Sequence, residues 1–194
     1  MVLVMSEMLS FTEEILHCRG GGAVQRCHGV RHTGSYSVAE HSWGVAMLLW
    51  YLFPHDFKRL VIFALCHDVP ECLVGDVPST VKENCKHQVL EDLINQQFGL
   101  PPLSLLGQRE HAMLKICDRL DLYLWAQEQL ASGNQYSKEI INNLEHTFSA
   151  EGAFSYQEDH WVQAETLYRK VQAQGVVPDR VHLLKRIKEH HGIL

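Results

Sequence analysis

The chain lacks a long apolar run, a surplus of positive charge and a paired cysteine motif, and each absence closes off a class of protein. No window approaches the roughly 20 apolar residues a membrane-spanning helix needs, so no membrane partner is expected. The formal charge is -6, from 17 Lys and Arg against 23 Asp and Glu. Surfaces that bind nucleic acid in general are basic, so a nucleic-acid polymer is not an expected partner, and any phosphate site must be a local cationic patch. Cys18, Cys27, Cys66, Cys72, Cys85 and Cys117 form no CxxC pair, and the N-terminus has no basic segment leading into a signal-type apolar stretch. Together these predict reduced thiols in a cytoplasmic compartment. Internal repeats, low-complexity linkers and alternating patterns long enough for a strand are missing too.

What is present is an ordinary globular composition, 46% hydrophobic and 21% charged over 194 residues, long enough to bury a real core. The apolar spacing predicts an all-α fold. Helices are expected over Ser6–Cys18, Val38–Phe53, Phe57–Cys72, Ser79–Phe98 and Gly107–Ala131, with Gly20-Gly21-Gly22, Pro54 and Ser132-Gly133-Asn134 as breaks. From about residue 135, helices at Tyr136–Phe148, Gln157–Gln174 and Pro178–His190 are expected to complete the same single domain, 1–194. Trp43 and Trp50, seven apart on one helix, point to core or interface packing. The helices carry more apolar faces than a monomer needs, so a homo-oligomer is expected.

The informative feature is Cys66-His67-Asp68, with His41 upstream and Asp118 downstream. An adjacent His-Asp pair offers one imidazole nitrogen and one carboxylate oxygen almost side by side. Hard divalent cations that keep a water or phosphate oxygen in the shell suit that mixture. His41, His67, Asp68 and Asp118 are the candidate metal ligands. Two His and two Asp suit Mn2+, Co2+, Fe2+ or Zn2+ better than Mg2+ alone, with Mg2+ a further option at a second site. Singly, each could be a core histidine or a surface carboxylate. Asp121, one turn beyond Asp118, is the fallback ligand. Glu71 follows His67 by four and Asp68 by three, so a continuing helix would put it on their face as a general base. Asp76 would sit on the following loop, close to the leaving-group side, as the second candidate catalytic carboxylate beside Glu71. Arg26, Arg31 and Lys82 are candidate phosphate grips, Lys82 in the first turns of a helix opened by Ser79.

These residues resemble the H…HD…D signature of the HD-domain metal phosphohydrolases. The resemblance is closest to the branch of bacterial 5'-deoxynucleotidases and of phage enzymes that hydrolyse dATP to deoxyadenosine and triphosphate. It is carried by Arg26-Cys27-His28 through Glu40-His41-Ser42, by His67-Asp68 through Lys82, and by Lys115-Ile116-Cys117-Asp118-Arg119-Leu120. It implies an HD-domain helical bundle and a metal-dependent enzyme acting on a small 2'-deoxynucleotide. A dNTP triphosphohydrolase is the first expectation, because Arg26, His28, Arg31, His32, Lys82 and Lys86 could meet a triphosphate's charge. A 5'-deoxynucleotidase acting on dNMP is the alternative. A non-catalytic metal-binding helical domain would lack the acidic pair that Glu71 and Asp76 supply. A cyclic-nucleotide phosphodiesterase would need further histidines after His67-Asp68. The chain departs from these relatives at Cys27, where they commonly carry an aromatic that senses the 2' position. That puts the preference for deoxy sugars in question and leaves Tyr36, Trp43 or Tyr123 as possible stacking groups.

Overall fold

The computed structural model of the protein describes residues 10–77, 87–149, 159–176 and 180–190. Helices run as α1 (Phe11–Gly21), α2 (Val38–Leu52), α3 (Phe57–Cys66), α4 (Glu71–Val74), α5 (His87–Gln97), α6 (Gln108–Ala131), α7 (Lys138–Ser149), α8 (Asp159–Gln174) and α9 (Arg180–His190). Short 3-10 turns at Leu103–Leu105 and Gln135–Ser137 precede α6 and α7. Among the described residues the fold is all-α, and the extended backbone pairs only at an isolated bridge between Gln25 and Ser37. No helix among them is long and apolar enough to cross a membrane.

The core forms where α2, α3 and α6 pack together and α7 and α8 close over α6. Val45, Leu49, Leu60, Met113, Leu120 and Tyr123 are fully buried there. Burying each aliphatic side chain of this size contributes about 1.5–3 kcal/mol, so this contact fixes where α2 and α6 lie. That matters because the same two helices carry His41 and Asp118.

Several expected boundaries move. The first described helix begins at Phe11, where Ser10 is extended and forms a reciprocal capping box with Glu13; the expected start at Ser6 lies outside the described residues. It then runs through Gly20 and Gly21 and ends at Gly22. Its apolar residues Phe11, Ile15 and Leu16 are exposed. The helix expected over Phe57–Cys72 ends at Cys66. Pro70 has no N–H to offer the turn before it, and the chain passes through His67 to Pro70 on tight bonds such as Val69 N to Cys66 O (3.0 Å) and Glu71 N to Asp68 O (3.1 Å). Within the expected Ser79–Phe98 helix, His87–Gln97 is helical, while Ser79, Lys82 and Lys86 lie outside the described residues. Trp43 and Trp50 are not core residues: they are 66% and 52% exposed, Trp50 lying edge-on to Phe57. Tyr36 and Tyr123 are buried and present no open ring for stacking.

Candidate metal centre

His41 sits in the first turn of α2, fixed by the capping box between Ser37 and Glu40. His67 and Asp68 lie in the tight turns after α3, and Asp118 lies near the middle of α6. Packing of the three segments brings their polar atoms together. One ligand atom from each of His41, His67 and Asp118 lies within 4.8 Å of the other two. His41 Nε2 is 3.2 Å from Asp118 Oδ1 and 3.7 Å from Asp68 Oδ2. His67 Nε2 is 3.5 Å from that same Asp68 oxygen.

Both Nε2 atoms are buried without a hydrogen-bond partner. A buried nitrogen left so is costly unless something else uses its lone pair. The other ring nitrogens are engaged: His67 Nδ1 lies 2.9 Å from Ala64 O, and His41 Nδ1 lies 2.7 Å from Asp121 Oδ2. A carbonyl and a carboxylate accept, so both Nδ1 atoms carry the proton and both Nε2 lone pairs face the cluster. Burial, with the His41 ring alongside, pushes the His67 imidazolium down to about 3. Burial works to raise the Asp118 carboxyl, but Lys115 (Nζ 2.9 Å from Oδ2) and the imidazoles hold it well below the usual carboxylate range. The result is two imidazoles and a carboxylate aimed at one point, a donor set that fits a divalent metal ion.

Arg26 reaches this cluster from the segment before α2. Its guanidinium pairs with Asp68, lies 3.9 Å from Glu71 Oε2 and sits 5.8 Å from the centre of the Tyr36 ring. Glu71 opens α4 and is buried, so the sharper turn still delivers it to the same place as Arg26 and Asp68. Asp76 faces the other way along the loop. Its Oδ2 accepts the Cys27 amide at 2.7 Å and lies 3.5 Å from His28 Nδ1.

Other candidates lie apart from this cluster. The Arg31 guanidinium is 5.7 Å over the Tyr136 ring, after the end of α6. His32 packs edge-on to Trp125. Asp121, the fallback ligand, lies behind His41 at Nδ1, on the side of the ring away from the cluster. Sequence reasoning gave no role to Lys115 or Gly44, both of which touch the acidic groups of α6. The i, i+3 spacing of Asp118 and Asp121 was a signal that both face α2.

The chain is 29% identical over 140 residues to dATP triphosphohydrolase of Salmonella phage PMBT28, covering 64% of this chain and 71% of that protein. It is 28% identical over 148 residues to 5'-deoxynucleotidase YfbR of Shigella dysenteriae, covering 62% and 74%. In fold it is similar to the cyanophage S-2L HD phosphohydrolase DatZ, solved bound to dA and one catalytic Zn2+ ion, with a TM-score of 0.56, 17% identity and coverage of 81% and 94%. The HD domain family model matches residues 24–176, the span that holds every group of the cluster from Arg26 to Asp118, and with its helical bundle and His–Asp centre the chain belongs to the HD domain family.

Proposed function

We propose that this HD-domain hydrolase is a metal-dependent phosphohydrolase of small 2'-deoxynucleotides that cuts the bond between the 5' oxygen and the α-phosphorus. The observation that carries the reading is the pair of unpartnered Nε2 atoms of His41 and His67 converging with Asp118. His41, His67 and Asp118 would hold the ion, with Asp68 as the fourth ligand. When bound, such an ion acts as a Lewis acid toward water and phosphoryl oxygen. Mn2+, Co2+, Zn2+ and Fe2+ suit these donors.

The remaining groups have distinct tasks. Glu71 takes the proton from the attacking water. Arg26 presents its fork of N–H donors to the phosphate and offsets charge that would otherwise repel Glu71. Asp76 holds the Arg26–His28 segment in place through the Cys27 amide. The bond from phosphorus to the 5' oxygen breaks as the bond from phosphorus to water oxygen forms; the departing 5' oxygen takes up a proton from solvent, and Glu71 returns the one it accepted to solvent.

A dNTP and a dNMP are cut at this same bond and differ only in what the α-phosphorus carries. We favour a dNTP substrate, in line with the name of the phage relative, releasing deoxynucleoside and triphosphate. The 5'-deoxynucleotidase reading stands beside it, because the bacterial relative is as similar. Lys82, as a grip for the outer phosphates, belongs to the first reading. Arg31 lies against Tyr136 and would have to leave that ring to serve. We also propose a homo-oligomer, supported by the exposed Trp43, Trp50 and Tyr51 along α2; a monomer on a sizing column at micromolar concentration would refute it.

Product analysis tests the catalytic reading. Metal-free protein is given each divalent ion in turn, with dNTPs, dNMPs and the matching ribonucleotides. Triphosphate plus deoxynucleoside is the expected result. Orthophosphate from dNMP alone moves the assignment to the nucleotidase, and no release from any nucleotide refutes the reading.

A further inference from the structure

We infer that Asp121 is a positioning residue for His41, held by Tyr36 and admitted by Gly44; the inference rests on the metal reading above. One oxygen of Asp121 carries the arrangement. Oδ2 lies 2.7 Å from His41 Nδ1 and accepts the Tyr36 hydroxyl at 2.8 Å. Two donors on one carboxylate oxygen fix both the tautomer and the rotation of the imidazole. Tyr36 is itself immobilised, 4% exposed and stacked on Trp125 with centroids 4.4 Å apart and planes 11° from parallel. Its backbone oxygen accepts the Arg26 amide at 2.8 Å, so the same residue braces the phosphate side of the site.

Gly44 supplies independent support. A Cβ built there would stand 1.7 Å from Asp121 Oδ1 and 2.6 Å from Cγ. α2 therefore has a notch, one turn after His41, shaped to the Asp121 carboxylate. Any larger residue would force the carboxylate away from the imidazole. Carboxylates that orient a ligating histidine in this way govern metal affinity, because a wrongly turned or wrongly protonated ring cannot present its lone pair. The imidazole separates Asp121 from the cluster, so its effect passes through His41.

The test is calorimetric titration of metal-free protein with Mn2+ and Zn2+, alongside circular dichroism and the metal-free thermal midpoint. The variants are Asp121→Ala, Asp121→Asn and Gly44→Ala, with His41→Ala as the control for a lost ligand. Asp121→Ala and Gly44→Ala are expected to weaken metal binding by about 10–100-fold with the fold retained. Asp121→Asn, whose amide oxygen can still accept from Nδ1, is expected to recover much of the loss. A purely structural role would move the thermal midpoint and leave the affinity of the folded protein alone. Unaltered metal affinity in folded Asp121→Ala overturns the inference while leaving the metal site intact. Where that variant does not fold, unaltered affinity in Gly44→Ala overturns it equally. Absence of metal binding by the unaltered protein refutes the metal reading itself, and this inference with it.

Discussion

The backbone amide of Cys27 donates to the Asp76 carboxylate at 2.7 Å, joining two segments 49 residues apart. Cys27 does this with φ at +56°, a left-handed conformation that a non-glycine residue adopts at a cost of about 1–2 kcal/mol. The bond offsets that cost and points Arg26 into the metal cluster and His28 outward. Replacing Asp76 by Ala leaves a partly buried amide without its acceptor, which is expected to cost about 1–3 kcal/mol of stability. Because Arg26 shares that segment, KM for nucleotide should rise more than kcat falls. Steady-state kinetics beside a denaturant titration check both, and unchanged KM would remove Asp76 from the role of loop anchor.

Glu71 is buried 3.9 Å from an Arg26 nitrogen, which places a carboxylate beside the cluster as the candidate base. Glu71→Gln preserves the shape and removes the base. The expected outcome is a fall in kcat of about 10^2–10^4-fold with metal affinity and the circular dichroism spectrum retained. Turnover within a few-fold of the unaltered enzyme would assign the proton transfer elsewhere.

Gly21 brings α1 against the turn that carries His67 and Asp68. A Cβ at Gly21 would lie 3.0 Å from both Val69 O and Val69 Cγ1. The neighbour is partly backbone and cannot simply swing aside. Gly21→Ala is therefore expected to destabilise the fold by about 1–3 kcal/mol and to displace the His67–Asp68 turn. A lowered denaturant midpoint together with weakened metal binding would show it. Gly20→Ala, with open space at its Cβ, serves as the control.

Cys66 and Cys117 directly precede two of the proposed ligands, yet both thiols turn into the protein. Burial pushes the Cys66 thiol up to about 11, and burial with Asp118 and Asp121 nearby holds Cys117 well above its ordinary range. A raised value favours the protonated thiol, and only the thiolate reacts well. At pH 8 both should resist a disulfide reagent in the folded protein and react once it is unfolded, as peptide mapping would show. Rapid labelling of either in the native state would mean that the α3–α6 packing opens readily.

The helical class was legible in the residues alone, because apolar spacing is a local signal; His67-Asp68 stood out as the dipeptide at the end of an apolar run, and His41 and Asp118 joined it as candidate ligands through the family resemblance. The Ser10–Glu13 cap was not read from the sequence, and the expected helix start at Ser6 lies outside the described residues. The break at Cys66 turned on Pro70, whose missing N–H matters only once its place in the turn is known. Which carboxylate of α6 faces His41 Nε2 and which lies behind at Nδ1 was not legible, since Asp118 and Asp121 share one helix face. The same holds for Gly44, which in sequence is merely a glycine inside a helix. Sequence determined the kinds of atom available and the helices that carry them. Tertiary packing of α2 on α6 decided the roles, because rotation about the helix axes sets which atoms meet, and that rotation is fixed by buried residues such as Leu49 and Leu120, which carry no chemistry themselves.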